Sequence, residues 1–250
     1  MPQPHSPFDL IRSWADTDRP FAAYELPDGS RLDVSYADQL DRSLRTASVL
    51  AHDGVRPGDR VHVHLPNGPQ FLDVWFGADA IGAVIVPTNP LASSSELEHF
   101  LGDSGAVVSV VADDLVDVVR AALPDDVVLI SSSQLESARE AASPAEPVAQ
   151  DPAALAAILY TSGTTSLPKG VMVTNANYLA VGRACAEHYR ITPDDRWLIV
   201  LPFFHGNAQY YCTMSALVVG ASIAVMSGFS ASNWGRQARE YGATLASLFG

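Results

Sequence analysis

Short apolar runs rich in β-branched residues alternate along this chain with stretches that repeat apolar residues every three to four positions. Residues 60–65 and 106–112 are runs of the first kind, and residues 35–51 and 70–81 are stretches of the second kind. The first pattern is typical of buried strands and the second of helices that cover a sheet. Their alternation predicts an α/β fold, in which a largely parallel sheet carries helices on its faces.

The same patterns place the remaining elements. Further strands are predicted at 83–87, 127–130, 155–160, 170–174, 197–201, 221–226 and 243–248, and further helices at 97–101, 177–188, 206–219 and 232–241. Residues 131–153 combine Ser, Ala, Glu and Pro with few apolar residues, which predicts an exposed connector that is partly helical near 136–142.

Composition excludes several classes of protein. The chain has 250 residues, 48% of them apolar, and a net charge of −13. This much apolar content is enough for a large core, and the acidic balance argues against nucleic-acid binding. The longest apolar stretches, 78–87 and 216–226, are too short to span a membrane. The start resembles no secretory signal, and the two cysteines offer no disulfide framework or metal site, so we expect a cytoplasmic protein.

The segment between the strands at 155–160 and 170–174 is the most informative. It reads Thr161-Ser-Gly-Thr-Thr-Ser-Leu-Pro-Lys169, and it contains the only lysine among 15 basic residues. Hydroxyl donors, a glycine that lets amides converge, and one flexible ammonium are what a polyphosphate needs. The pattern is not a P-loop, because Pro168 and Gly170 replace residues which that motif requires. A plain polar hairpin turn remains the alternative.

Residues 160–171 resemble the phosphate-loop signature of the adenylate-forming superfamily, which includes acyl-CoA synthetases, firefly luciferase and peptide-synthetase adenylation domains. Other segments resemble the motifs of this family in the same order: 32–40, 54–61, 65–71, 82–91 and 201–206. Ser166 stands where the family usually has Gly. Members of the carnitine- or crotonobetaine-CoA ligase type also place Ser there, and the segment from Phe204 to Gln209 is similar to theirs.

The resemblance implies an activity and a set of cofactors. A carboxylic acid would react with ATP, accompanied by Mg²⁺, to give an acyl-adenylate and pyrophosphate. A thiol, usually that of coenzyme A, would then accept the acyl group. The partners implied are therefore a small carboxylic acid, ATP and either coenzyme A or a carrier-protein thiol, with a homodimer left open.

The resemblance also implies a site. Lys169 would be catalytic, and it would hold the β- and γ-phosphates together with Thr161, Ser162, Gly163, Thr164 and Thr165. His205 would act at the mouth of the acid pocket, near the attacking carboxylate, and Gln209 would bind the acid. From the residues alone, His205 could instead cap a strand end and Gln209 could be a core residue. No metal-ligating set is expected, and a structural role is favoured for His62 and His64.

The implied domain organisation is the large N-terminal domain of such a ligase, in part. Residues 53–178 would form its first α/β subdomain, and 1–52 with 179–250 would form part of its second. The later motifs of the family and its small C-terminal domain do not occur in these residues, so the 250-residue chain by itself is expected to be inactive. Two alternatives remain open: adenylation with another acceptor or an inorganic acid, and a non-catalytic module derived from a ligase. A Rossmann dehydrogenase is disfavoured, because no G-x-G-x-x-G turn follows an early strand.

Overall fold

The computed structural model describes residues 4–161 and 167–248. Its helices are α1 (Pro7–Trp14), α2 (Tyr36–His52), α3 (Pro69–Ala80), α4 (Ser94–Ser104), α5 (Val116–Ala122), α6 (Ser132–Ala141), α7 (Asn175–Tyr189), α8 (Ser215–Val219) and α9 (Trp234–Glu240), with a 3₁₀ turn at Asp113–Leu115 and a π-helix at Asn207–Met214. Its strands are β1 (Pro20–Glu25), β2 (Arg31–Ser35), β3 (Arg60–His64), β4 (Val84–Pro87), β5 (Ala106–Val111), β6 (Val128–Ser131), β7 (Leu155–Thr161), β8 (Lys169–Thr174), β9 (Arg196–Ile199), β10 (Ser222–Val225) and β11 (Leu245–Ala246). The predicted α/β fold is confirmed. None of the helices in these two ranges has the length and apolar character that crossing a bilayer requires.

One compact unit comprises Met1–Leu40, Asn67–Pro69 and Ala176–Gly250. Its five-stranded sheet has the order β11-β9-β10-β1-β2, and every pair is parallel except β1 with β2. Parallel strands end at the same edge of a sheet, and chemistry in such folds is commonly carried by loops at the carboxyl ends. The segment that contains His205 follows the carboxyl end of β9.

The second unit comprises Asp41–Pro66 and Gln70–Asn175. Its six-stranded sheet has the order β6-β5-β3-β4-β7-β8, and only the last pair is antiparallel. β8 is therefore an edge strand. The division into 53–178 and 1–52 with 179–250 stays a prediction about the subdomains of the family.

The centre of the six-stranded sheet contains polar side chains that are hydrogen-bonded to one another. His62 lies between the hydroxyls of Ser109, 2.7 Å from Nδ1, and Thr88, 2.8 Å from Nε2. Nδ1 of His64 contacts the same Thr88 hydroxyl at 2.8 Å. Both imidazoles are fully buried. These contacts support the structural role that the sequence favours for the pair.

A buried carboxylate joins three helices of the same unit. Asp73 on α3 accepts two hydrogen bonds from Arg42 on α2, at 2.9 and 2.6 Å, and one from Arg139 on α6 at 2.9 Å. Its side chain is 1% exposed. A buried charge is tolerated when it is paired and hydrogen-bonded in this way.

The structure differs from the sequence-based elements in four places. No element is predicted within 113–122, where the 3₁₀ turn and α5 lie. α1, β1 and β2 precede the first predicted element; Ser6 caps α1, and β1 is almost wholly buried, so it shows no alternation. Within 131–153, predicted as an exposed connector that is partly helical near 136–142, the helix is present as α6, but it starts earlier, from a capping box at Ser131, and it buries Leu135 and Arg139. The stretch 206–219, predicted as one regular helix, is instead the π-helix followed by α8.

Candidate functional site

The β7–β8 hairpin carries the segment that the sequence assigns to phosphate binding. The two strands pair antiparallel, with Thr161 opposite Lys169 and Tyr160 opposite Gly170. The two ends of the segment therefore lie side by side at the edge of the sheet. The hydroxyl of Thr161 donates to the carbonyl of Lys169 at 3.5 Å. Both residues are solvent-exposed.

Two of the six predicted phosphate ligands, Thr161 and Lys169, lie within the described residues. Ser162, Gly163, Thr164 and Thr165 lie outside the described residues, and so does Ser166. For Lys169 the structure is informative, because no carboxylate in the ranges 4–161 and 167–248 lies within ion-pair distance of its ammonium group. The charge of Lys169 is therefore not neutralised by any side chain in those ranges.

Gly170 permits the close pairing of the two strands next to this lysine. A Cβ atom at Gly170 would lie 2.6 Å from Cγ2 of Ile158 and 3.4 Å from the ring of Tyr160. The first distance is far inside van der Waals contact, so a side chain there would push the hairpin apart. The glycine after the lysine is thus required by packing.

Two side chains of α4, which no sequence motif marks, contact the flanks of the segment. Nε2 of His99 donates to the carbonyl of Pro168 at 2.8 Å, and the hydroxyl of Tyr160 donates to Oδ2 of Asp103 at 2.6 Å. Desolvation, followed by the hydrogen bond to Asp103, raises the pKa of Tyr160. Tyr160 therefore remains a protonated donor at neutral pH.

The turn that carries His205 is held by an asparagine from a distant part of the sequence. The backbone N–H of Phe203 donates to Oδ1 of Asn67 at 2.8 Å, and Nδ2 of Asn67 donates to the carbonyls of Leu201 and Met226 at 3.0 and 3.1 Å. The N–H of His205 then donates to the carbonyl of Pro202 at 3.1 Å, which closes the turn. The Asn67 amide thus accepts one hydrogen bond from the turn and donates two, to the carbonyl of Leu201 and to that of Met226 after β10.

His205 lies on that turn with its ring against Phe204, at a centroid separation of 4.1 Å. Desolvation lowers the pKa of His205 below its ordinary value, while part of the residue stays exposed to solvent. The imidazole is consequently neutral at pH 7 and can accept a hydrogen bond or a proton.

Gln209 lies on the π-helix and is fully buried. Its Nε2 donates to the carbonyl of Phe203, and its Oε1 accepts from the hydroxyl of Tyr178. The ring of Tyr178 also packs against Tyr210 at a centroid separation of 4.9 Å. Both polar atoms of the Gln209 amide are thus engaged within the protein, on the inner side of the His205 turn.

A cavity of about 590 Å³ lies at the edge of the five-stranded sheet that is opposite to the carboxyl ends of its parallel strands. It is found at the amino-terminal ends of β1, β9 and β10, and its lining includes Arg19, Pro20, Asp194, Arg196 and Ser222. His205 follows the carboxyl end of β9, so this cavity is separate from the His205 turn.

Comparisons with known proteins identify relatives of this chain in sequence and in fold. Residues 13–249 match the family described as AMP-binding enzyme. The crotonobetaine/carnitine–CoA ligase of Salmonella typhi is 32% identical, over 95% of this chain and 50% of the relative. The apo structure of Mycobacterium smegmatis MbtA is 31% identical with a TM-score of 0.89, over 98% of this chain and 48% of that one. ATP-bound MatB from Rhodopseudomonas palustris is 27% identical with a TM-score of 0.79, over 89% and 46%.

The two sheets and the hairpin with its lysine define the N-terminal part of an adenylate-forming fold. The chain belongs to the AMP-binding enzyme family. It spans about half the length of the curated relatives it matches.

Proposed function

We propose that the full-length protein activates a carboxylic acid with ATP and transfers the acyl group to coenzyme A. A carboxylate oxygen attacks the α-phosphorus, the bond from that phosphorus to the bridging oxygen breaks, and pyrophosphate leaves. The sulfur of the thiol then attacks the acyl carbonyl, AMP leaves, and the thiol proton passes to solvent. The observation that supports the proposal is the hairpin, in which Lys169 pairs with Thr161 and has no carboxylate partner within residues 4–161 and 167–248.

In this proposal, the hairpin holds the β- and γ-phosphates. The ammonium of Lys169 donates charge-assisted hydrogen bonds to the phosphate oxygens, and so neutralises charge on the leaving pyrophosphate. The other contacts come from the hydroxyls or backbone of Thr161, Ser162, Gly163, Thr164 and Thr165. These interactions strengthen as charge accumulates on the leaving group, which is how a binding contact accelerates the reaction.

His205 receives the acid in the same proposal. A neutral imidazole next to Phe204 neither repels nor neutralises the carboxylate, and its N–H can orient one oxygen toward the α-phosphorus. Gln209 contributes to acid binding by holding the Phe203 carbonyl, and therefore the turn, in place. Direct contact between Gln209 and the acid stays a prediction.

Magnesium belongs to the proposal as the ion that accompanies ATP, and when bound it would supply charge neutralisation at phosphate oxygens. Among residues 4–161 and 167–248, no three or more His, Cys, Asp or Glu side chains are grouped so that they could hold a metal. A Mg²⁺ ion that arrives with ATP would take most of its ligands from phosphate oxygens and water.

Two further properties are proposed. We infer a cytoplasmic location from the two free cysteines, Cys185 and Cys212, together with the ATP chemistry. We also propose coenzyme A rather than a carrier-protein thiol as the acceptor, because the curated relatives are coenzyme A ligases. A homodimer stays open.

Acid-dependent exchange of labelled pyrophosphate into ATP tests the proposal on the full-length protein. The acid panel includes carnitine and crotonobetaine, which appear in the names of the relatives, together with fatty, aromatic and dicarboxylic acids. We expect exchange with at least one acid, and coenzyme A should convert that acid to its thioester. No exchange with any acid would contradict the proposal, whereas a product formed on a carrier protein or an amine would overturn the choice of acceptor alone.

A further inference from the structure

Helix α4 contacts the phosphate-binding segment on both of its sides. His99 and Asp103 are four positions apart, so they lie on one face of the helix. His99 binds the carbonyl of Pro168, next to Lys169, and Asp103 binds the hydroxyl of Tyr160, next to Thr161. One helix thus holds Tyr160, the last residue before the segment, and Pro168, near the end of the segment.

The helix is itself anchored firmly enough to act as a support. It begins with a capping box, in which Ser93 and Glu96 satisfy each other's backbone N–H, and it ends at Gly105 in a left-handed conformation with φ +60°. Leu97 and Leu101 are buried in a hydrophobic cluster with the neighbouring strand and helix. The position of His99 and Asp103 is therefore set by packing that does not involve the hairpin.

The contacts to the hairpin are directional as well as apolar. The 2.6 Å separation between the Tyr160 hydroxyl and Asp103 is typical of a hydrogen bond to an ionised carboxylate. The ring of Tyr160 also packs on Phe100, at a centroid separation of 4.6 Å, and edge-on against His99 at 5.9 Å. Such a combination fixes the orientation of Tyr160 and not only its distance from the helix.

We propose that His99 and Asp103 are positioning residues for ATP, which hold the two flanks of the hairpin so that Lys169 and Thr161 meet the β- and γ-phosphates together. This inference rests on the proposed function. An error of about 1 Å in the position of a binding group can reduce the rate by roughly a hundredfold, so a support of this kind can matter without touching the substrate. Neither side chain is a catalytic residue in this account.

The test uses acid-dependent pyrophosphate exchange by the full-length protein, with KM measured separately for ATP and for the acid. His99→Ala and Asp103→Ala should each raise the KM for ATP about tenfold, the loss expected for one hydrogen bond of this type. The KM for the acid should stay within about twofold of the wild-type value. Glu98→Ala is the matched control, because Glu98 is an exposed neighbour on the same helix, and it should change neither constant.

Conservative variants separate positioning from a general structural role. Asp103→Asn keeps an acceptor for the Tyr160 hydroxyl and should restore most of the affinity for ATP. Tyr160→Phe removes the other partner of the same bond, and so should resemble Asp103→Ala. The double variant with Asp103→Ala and Tyr160→Phe should have a KM for ATP no higher than that of either single variant, because both changes remove the same hydrogen bond.

The possible failures are distinguishable. If the wild-type protein shows no acid-dependent exchange, the proposed function fails, and this inference fails with it. If the wild-type protein exchanges and the KM for ATP is unchanged in His99→Ala and Asp103→Ala, only the positioning role is overturned. Equal increases in both KM values, together with a lower melting temperature and no rescue by Asp103→Asn, would also overturn it, because α4 would then act on the fold as a whole.

Discussion

The hairpin and the His205 turn are both held by side chains from other parts of the sequence, but they are held in different ways. The hairpin is supported at its flanks by partly exposed side chains of one helix, His99 and Asp103. The His205 turn is supported by Asn67 and by Gln209, which is fully buried with both amide atoms bonded. An exposed support can be lost at little cost to the fold, whereas a buried amide that loses a partner is expensive. Substitutions at the hairpin should therefore alter ligand binding, and substitutions behind the turn should alter stability.

Acid conditions should produce the largest effect, because the sheet behind the hairpin contains buried histidines. Burial lowers the pKa of His62 to about 3 and that of His64 to about 4. In the unfolded chain the two histidines take up protons near pH 6.5, whereas in the folded chain they stay neutral. The free energy of unfolding is therefore highest above pH 6.5 and decreases as the pH falls below it. At pH 5 the loss should be about 2 kcal/mol for each histidine, or roughly 4 kcal/mol for the pair.

Urea unfolding at pH 7 and pH 5, with hydrogen exchange followed in β3, measures this loss. Replacing both His62 and His64 by Gln should make β3 less stable at pH 7 and remove most of the pH dependence. His52→Ala, which changes an exposed histidine, is the control and should leave the pH dependence intact. An equally steep loss of stability in the Gln double variant would show that other groups are responsible.

Gln209→Leu tests the buried support of the His205 turn. The substitution leaves the Tyr178 hydroxyl and the Phe203 carbonyl without their partners, at a cost of about 3 kcal/mol in the free energy of unfolding. The matched change at the hairpin, His99→Ala, should cost less than about 0.5 kcal/mol, because His99 is partly exposed. Urea unfolding measures the free energy of unfolding of both variants. Equal losses would contradict the distinction between a buried support at the turn and an exposed support at the hairpin.

Two helical glycines, one near the His205 turn's π-helix and one on α4, should show a smaller difference in stability that depends only on the space around them. A Cβ atom at Gly182 on α7 would lie 2.9 Å from the carbonyl oxygen of Met214, which ends the π-helix. A Cβ atom at Gly102 on α4 would meet nothing within 4 Å. Gly182→Ala should therefore destabilise the protein by about 1–3 kcal/mol. Gly102→Ala should stabilise it by about 0.5–1 kcal/mol through helix propensity. Thermal unfolding measures both, and a stabilised Gly182→Ala would mean that α7 and the π-helix are not closely packed.

The smallest effect on stability is expected at Lys169. Its ammonium is exposed and has no carboxylate partner in the described parts of the chain, so Lys169→Ala should change the free energy of unfolding by less than about 0.5 kcal/mol. The same variant should lower kcat/KM for pyrophosphate exchange by about ten- to a thousandfold, because a charge-assisted contact to the phosphates is lost. Arg56→Ala is a control that removes an exposed cation elsewhere in the same unit. Unchanged kinetics in Lys169→Ala would exclude the lysine from the reaction.

Local patterns predict much of this fold, and they fail where distant residues decide the structure. All six strands of the six-stranded sheet, together with helices α2 and α3, follow from the sequence patterns, whereas no pattern predicts α5. The π-helix does not follow from periodicity, since its close contact with Gly182 is made between segments far apart in the sequence. β1 is buried on both faces and so lacks the alternation that reveals a strand.

The site shows the same division. The types and spacing of residues around Lys169 predict a phosphate segment, because the required chemistry lies within about ten consecutive positions. The supports of that segment and of the His205 turn, His99 and Asn67, are separated from their partners by 69 and 136 positions. No pattern within a short window can predict such pairs.

The central claim is that the hairpin binds the triphosphate of ATP, and protection of Lys169 from chemical labelling tests it most directly. The full-length protein is treated with an amine-reactive reagent, and modification of the peptide that contains Lys169 is measured by mass spectrometry. ATP at saturating concentration should reduce modification of Lys169 at least fivefold, and AMP, which lacks the β- and γ-phosphates, should leave it largely unchanged. Equal modification with and without ATP, in a preparation that catalyses acid-dependent exchange, would contradict the account.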